Sequence, residues 1–386
     1  MFWKLQENVI SDSDLDLLVS FIQETNRFTQ FTKVKEFEAA FAVWQGCRYC
    51  VFVNSGSSAN LILVNALKQL QRWKDGDEII VPAVTWPTTI TPVIQCGLKP
   101  VFVDVNLTDL SFDYDQVEKK ISPRTRGISV THLLGFPADV QRLKEILNRR
   151  DITMIEDCCE SQGATLDGVK VGNLCFGGTF SFYWGHHMTT VEGGMICTED
   201  KELFKLLLLK RSHGLARELP PEYHPEIREK HPDIDFNFLF LTDGFNLRNT
   251  ELNAVLGLSQ LKNIDKFINI RNSNYDHFLM MCNRYPEELI ALEVPGASSF
   301  VFPFLFRNQD QKRSFQELIR TAGIESRPLI SGNLLRQPFL AQYYNTTEYR
   351  NSDFLHTNAF YIGNNQFVGW QRMQVLEGLL HEFFGR

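Results

Sequence analysis

The sequence predicts an α/β protein with a second, smaller unit at its C-terminal end. Three observations carry that reading. Between about residues 55 and 200, short β-branched or aromatic runs alternate with runs of helical period. A length of 386 residues is enough for two packed cores. After Gly214 the alternation gives way to a charged, proline-rich excursion and then a long helical stretch.

Each element follows from its own residues. "SDLDLLVSFIQE" opens with Ser13 as an N-cap and predicts an N-terminal helix. "YCVFVNSGSSANLILVNALKQL" reads as a strand, a turn and a helix from about Ser57. "DEIIVPAV", "KPVFVDV", "RGISVTHLLG", "ITMIEDCC", "GTFSFY" and "GGMICTE" have the composition and length of short strands. Between two of them, "ADVQRLKEILNRR" sets Val140, Leu143, Ile146 and Leu147 on one helical face. "ARELPPEYHPEIREKHPDID" holds four prolines among many charges and predicts a loop. The stretch from Thr250 to Tyr285 is helical throughout and leads into a C-terminal unit with a strand, "SSFVFPFLF", and a helix, "SFQELIRTAG". The expected division is an N-terminal helical segment at 1–30, a large domain at 31–264 and a small one at 265–386.

Composition excludes several functions. A net charge of −7 with no local Lys/Arg block leaves no electrostatic footprint for nucleic acid. It does not exclude a phosphorylated ligand, which backbone N–H groups can hold. No apolar run reaches the length of a membrane span, and the N-terminal residues lack a signal peptide's apolar stretch, so a cytoplasmic protein is expected. The eight cysteines are scattered and read as free thiols. "CRYC" has CxxC spacing but no second pair at a zinc-ribbon distance, so no metal is expected there.

Four stretches could carry chemistry. "NSGSSANL" places small residues between a strand and a helix, where backbone N–H groups and the helix dipole favour a phosphate. An ordinary strand-to-helix turn would look the same. "TMIEDCCESQGA" ends a strand in Glu156–Asp157, at the sheet edge where open α/β folds bind ligands; a helix-capping or salt-bridged aspartate is the alternative. "AVTWPTTITP" puts Trp86 after a strand, as a stacking platform or as a core aromatic. "SFYWGHHMTTVEGG" ends a strand at Ser181, follows it with His186 and His187, and turns into the next strand at Glu192-Gly193-Gly194.

Taken in order with "FTQFTKVKEFEAAFA", "PVFVDV", "RSHG" and "DGFNLRNTELNAVLGLSQL", these stretches resemble the sugar aminotransferase family of fold-type I pyridoxal-phosphate enzymes. The resemblance covers nearly the whole chain. It implies a large, mostly parallel mixed sheet with a smaller C-terminal α+β domain, and a homodimer with shared sites. That family sets a cofactor-binding lysine six residues before the Glu of "EGG"; counting back from Glu192 lands on His186. No lysine lies between Lys170 and Lys201, so a one-residue slip recovers none.

A histidine in that place is a mark of the pyridoxamine-phosphate-dependent 3-dehydratases of nucleotide-linked ketosugars. Their CDP-sugar branch carries extra cysteines for an iron–sulfur cluster, and residues 211–246 here contain none. "RSHGLARELP" and "RPLISGNLL" are similar to the branch without a cluster, which takes GDP-4-keto-6-deoxy-D-mannose and restores its cofactor with L-glutamate in deoxysugar biosynthesis. The resemblance implies His186 as the acid–base and Asp157 as the partner of the cofactor's ring nitrogen. It implies Glu160 at the ring, Trp86 stacked on it, and Gly56, Ser57 and Ser181 at the phosphate. Asn246 would reach the phosphate of the partner subunit's cofactor, and His213 and Arg327 would contact substrate or glutamate. His187 would act behind the site or only pack. Residues 220–235 and 343–357 are expected to shape the nucleotide and sugar pockets. A transaminase with an unusual base and an inactive cofactor- or sugar-binding homologue are the alternatives.

Overall fold

Short apolar runs become strands here because both of their faces are covered. In the computed structural model, which describes residues 2–345 and 347–385, α1 (Asp12–Glu24) and α2 (Thr32–Gln45) precede β1 (Tyr49–Val53) and α3 (Gly56–Leu70). Then come β2 (Glu78–Pro82), α4 (Pro87–Gln95), β3 (Lys99–Val103), α5 (Tyr114–Lys120), β4 (Thr125–Thr131), α6 (Val140–Leu147) and β5 (Thr153–Asp157). A hairpin, β6 (Thr165–Leu166) and β7 (Val169–Lys170), leads to β8 (Gly178–Ser181), β9 (Gly194–Thr198) and α7 (Lys201–Arg211). After α8 (His224–Lys230), α9 (Glu251–Leu261) and α10 (Ile264–Cys282), the chain ends with β10 (Val301–Leu305), α11 (Gln309–Thr321), β11 (Ser326–Pro328), α12 (Arg350–Asn358), β12 (Ala359–Gly363) and α13 (Trp370–Phe384). Residue 346, inside the expected pocket segment 343–357, lies outside the described residues, as do residues 1 and 386.

The large sheet has the order β1-β9-β8-β5-β4-β2-β3, with β9 alone running against the other six strands. It is the expected mostly parallel, mixed sheet. One face packs on α3 and α7 through Leu63, Leu67, Leu203 and Leu207; the other packs on α5 and α6 through Val117, Val140 and Leu143. Strands covered on both faces lose the in–out alternation, and all five residues of β2 are buried.

The second sheet is antiparallel, in the order β10-β12-β11. Its core is aromatic: Phe304 packs on Phe278, Phe360 and Phe315 at 4.9, 5.1 and 5.4 Å between ring centroids. The N-terminal residues join this core. Trp3 is buried against Phe302, and its indole N–H donates to the Gly363 carbonyl at 2.9 Å.

Three local expectations need correction. The first helix is capped by Ser11, not Ser13: its side chain accepts the Asp14 N–H while Asp14 accepts the Ser11 N–H, a reciprocal box. The proline-rich excursion contains α8, begun by Pro225 in its first turn, where a missing N–H costs nothing. The long helical stretch breaks between α9 and α10 at Lys262 and Asn263. With the break, α10 carries Ile264 and Ile268 into the core beneath β8, and Phe278 and Met281 into the aromatic core. Among the described residues no helix is long and apolar enough to cross a membrane.

One contact ties the helices beside β1 together. Helix α2 starts at Phe31 with no capping side chain of its own. Glu251, buried at the start of α9, supplies the cap. Its Oε1 accepts the N–H groups of Phe31 and Val34 at 2.8 and 3.0 Å, and its Oε2 accepts that of Lys33 at 2.8 Å. Glu251→Ala therefore strands three donors and should cost about 2–4 kcal/mol in urea unfolding. A variant as stable as the parent would remove this cap from the account.

Candidate active site

Parallel strands end at a common edge, and their following residues converge there. Asp157 ends β5, Ser181 ends β8, Gly56 opens the helix after β1, and Trp86 follows β2 as the residue before α4. Asp157 is 5% exposed. Its Oδ2 accepts from Asn60 Nδ2 at 2.8 Å and from Thr89 Oγ1 at 2.7 Å, while its Oδ1 accepts the Cys159 N–H at 3.2 Å. Thr179 Oγ1 donates to Asn60 Oδ1 at 2.6 Å, which fixes the amide so that its NH2 faces Asp157.

Beside this carboxylate lies the N-terminus of α3. Ser55 caps it by accepting the Ser58 N–H at 3.1 Å, which leaves the N–H groups of Gly56 and Ser57 without a helical partner. A Cβ on Gly56 would come 2.6 Å from the Ser181 Cβ, so only glycine lets β8 approach the helix this closely. Gly194 is constrained in the same way, against the Ser55 carbonyl, which explains the Gly-Gly entry into β9. The Ser57 side chain is exposed, and so is Trp86 at 56%, which leaves an indole face open to a ligand.

His186 lies in the loop after β8. Its ring stacks on Phe300 at 5.3 Å and meets Tyr183 edge-on at 6.3 Å. Arg271, on α10 and 2% exposed, holds this loop: its Nη2 donates to the His186 carbonyl at 3.3 Å, and its Nη1 to the carbonyls of Phe300 and Asn364 at 3.0 and 2.6 Å. Its described partners are all carbonyls, so its charge meets no carboxylate there. Burial and this cation lower the imidazole pKa to about 3. At neutral pH the ring is uncharged and free to accept a proton. His186 Nδ1 is shielded and has no protein partner. His186 lines a cavity of about 30 Å³, room for a water, together with Arg271, Arg327, Tyr361 and N-terminal residues such as Leu5 and Gln6. His187 is fully buried and packs through its Nε2 on the Ser298 hydroxyl at 3.1 Å.

Glu160 lies within electrostatic reach of Asp157 and of Tyr361. Its Oε2 accepts the Leu134 N–H at 2.9 Å, from a leucine in the left-handed region at φ 56°. Burial, helped by the Asp157 charge, raises the Glu160 carboxyl to about 7. Tyr361 feels both Glu160 and Arg327, and β11 sets Arg327 opposite it in register. His213 and Asn246 sit on adjoining segments: the His213 N–H donates to the Phe245 carbonyl at 2.7 Å, and Ser212 bridges to Asn246. Both side chains are exposed, and Asn246 Oδ1 accepts from Arg248 at 3.0 Å. Among the described residues no hydrogen bond joins His186, His213 or Asn246 to Asp157.

The lysines that flank the loop in sequence are engaged elsewhere. Lys170 Nζ donates to the Trp44 carbonyl, and Lys201 Nζ lies 5.2 Å from the Tyr223 ring centroid. Sequence reasoning missed Asn60, Thr89, Arg271 and Tyr361. Asn60 had a signal, since it stands four residues after Gly56 on the same helical face. Arg271, inside a polar helix, had none.

The profile of the DegT/DnrJ/EryC1/StrS aminotransferase family matches residues 10–367. The GDP-4-keto-6-deoxy-D-mannose 3-dehydratase of Escherichia coli O55:H7 is 34% identical over 369 residues, 94% of this chain and 95% of that protein. Two solved structures are similar over almost the full length of both chains. A histidine-to-asparagine mutant of GDP-4-keto-6-deoxymannose-3-dehydratase with bound GDP-perosamine has a TM-score of 0.90 at 33% identity, covering 98% of this chain and 100% of the other. That dehydratase with a trapped PLP-glutamate geminal diamine has a TM-score of 0.89 at 32% identity, with coverage of 98% and 100%.

The raised Glu160 pKa has a stability consequence. The folded chain keeps a proton that the unfolded chain releases near pH 4.5, so the contribution is full below that pH and is lost as pH rises through about 7. Unfolding of the cofactor-free chain at stepped pH should show this falling limb, and Glu160→Gln should flatten it. An unchanged limb in the variant would place the titration elsewhere.

Proposed function

The chain belongs to the DegT/DnrJ/EryC1/StrS aminotransferase family, and on that premise we propose that it is a coenzyme-B6-dependent 3-dehydratase of a nucleotide-linked 4-keto-6-deoxy sugar. GDP-4-keto-6-deoxy-D-mannose is the substrate that the relatives favour. The product is the 3-deoxy-4-keto sugar, with release of ammonia, and L-glutamate restores the amine form of the cofactor. One observation carries this reading: an uncharged imidazole, His186, stands where the family has a lysine, in a site whose other elements are intact.

The residues suit pyridoxamine phosphate. Asp157 is a buried carboxylate held from behind by Asn60 and Thr89, placed to accept a pyridine N–H. The unpartnered N–H groups of Gly56 and Ser57, with the Ser181 hydroxyl beside them, suit a phosphate. Trp86 offers a face for the ring, and Glu160, which exchanges a proton near neutrality, suits its 3-hydroxyl. When bound, the cofactor supplies an amine that condenses with the sugar ketone and a protonated ring that takes up electrons.

The chain's own work is then proton transfer and orientation. His186 takes the proton from the cofactor's C4′ carbon and passes it toward the departing C3 hydroxyl. Burial, with the Arg271 charge added, keeps the imidazole uncharged beforehand, and Arg271 fixes its backbone. With no lysine in the loop between Lys170 and Lys201, the cofactor would be held by phosphate, ring and stacking contacts. Arg327 and His213 are assigned to substrate or glutamate, Arg327 because its planar fork pairs with a carboxylate or phosphate.

A homodimer completes the proposal, with Asn246 reaching the phosphate of the cofactor bound by the partner subunit. Phe28, Phe31, Phe238 and Phe240 are 38%, 46%, 67% and 56% exposed, apolar side chains of the kind a second copy covers. Sedimentation should show two chains per particle; a monomer would leave Asn246 without its assigned role. We also keep the division of a large domain to residue 264 and a small one from 265.

The activity is tested with pyridoxamine phosphate, GDP-4-keto-6-deoxymannose and glutamate. Ammonia and a 3-deoxy sugar are expected; a 4-amino sugar without ammonia would mark a transaminase, and no turnover a binding protein. His186→Asn should keep the cofactor and lose at least about a hundredfold in elimination. His186→Lys should bind pyridoxal phosphate covalently, seen as a shifted absorption band. Full activity in the asparagine variant would take His186 out of the reaction.

A further inference from the structure

Away from this site, three thiols meet at the end of the β1–β9 pair opposite Gly194. Cys50 and Cys197 stand across from each other in the register and are both buried. Cys47, in the turn between α2 and β1, is only partly buried. Its sulfur lies 3.4 Å from that of Cys50, the Cys50 and Cys197 sulfurs are 3.2 Å apart, and all three fall within 4.8 Å of one another. The arrangement is one partly buried cysteine backed by two buried ones.

We propose that Cys47 is a site of oxidation by hydroperoxides, resolved by Cys50 into a Cys47–Cys50 disulfide. In the first step the Cys47 thiolate attacks one oxygen of ROOH. The O–O bond breaks and ROH leaves with the hydroperoxide proton, so sulfur loses two electrons and Cys47 becomes a sulfenate, which takes a proton from water to give the sulfenic acid. In the second, the Cys50 sulfur attacks the Cys47 sulfur, the S–O bond breaks, and the hydroxide leaves as water with the Cys50 proton. A thiol reductant returns both to the starting state.

Local chemistry favours Cys47 over the other thiols. Contact with the Cys197 and Cys50 sulfurs lowers the Cys47 pKa, whereas burial pushes Cys50 and Cys197 upward. Cys159 and Cys175 are also partly buried as residues, yet burial of their sulfurs and the neighbouring carboxylates, Asp157 and Glu156, hold them protonated. A soft metal ion would need thiolates at Cys50 and Cys197 too, and burial opposes both.

The test uses the full chain, reduced, with hydrogen peroxide. Peptide mapping should show loss of two hydrogens in a Cys47–Cys50 link. Cys50→Ala should stop at the sulfenic acid, captured by dimedone on Cys47, and Cys47→Ser should yield neither. In the unmodified protein, iodoacetamide at mildly acidic pH should label Cys47 about tenfold faster than any other thiol, a measurement that does not depend on a variant folding. Faster labelling of Cys159 or Cys175, or peroxide treatment that leaves Cys47 reduced, would overturn the assignment.

Discussion

Burying a carboxylate costs several kcal/mol unless donors surround it, and the site is organised around meeting that demand at Asp157. A single oxygen, Oδ2, takes one donor from α3 and one from α4. The end of β5 is thereby locked to the two helices that follow β1 and β2. Gly56 lies one turn from Asn60, and Trp86 lies just before the turn that holds Thr89. The placement of the phosphate-type donors and of the stacking indole therefore depends on the carboxylate that lies between them. A shift of this oxygen would be felt at both ends of the site.

The large sheet was readable because its strands are short, β-branched and bounded by turn residues, and because they alternate with helical runs. Every strand anticipated between residues 49 and 198 is present. What escaped was decided by contacts distant in sequence. Ser13 has Asp16 at the same spacing as Ser11 has Asp14, so the local pattern does not reveal that the box closes at Ser11. The break at Lys262 and Asn263 has no Pro or Gly to announce it; it follows from α10 serving two cores. Likewise, nothing in "CRYC" forecasts Cys197, which arrives from a strand 147 residues away through cross-strand pairing.

In the candidate site, the main groups lie in motifs with a local backbone reason, such as a strand end, a tight turn or a helix start. Asn60 and Thr89 are ordinary polar residues inside helices, and their role exists only once β5 sets Asp157 between them. Arg271 is further still from any pattern. A buried guanidinium bonded to three carbonyls does nothing recognisable in one dimension, yet it holds the histidine loop and adds to the burial that keeps the imidazole uncharged.

Arg271 has a mechanical consequence as well. Its guanidinium reaches Phe300 and Asn364 beside the small sheet and His186 in the loop of the large one. The same helix is buried in both cores. The smaller sheet therefore cannot swing as a free flap on a hinge. Any rotation large enough to admit a bulky ligand either carries the histidine loop along or breaks those carbonyl bonds, so the opening angle and the aim of the imidazole are geared together.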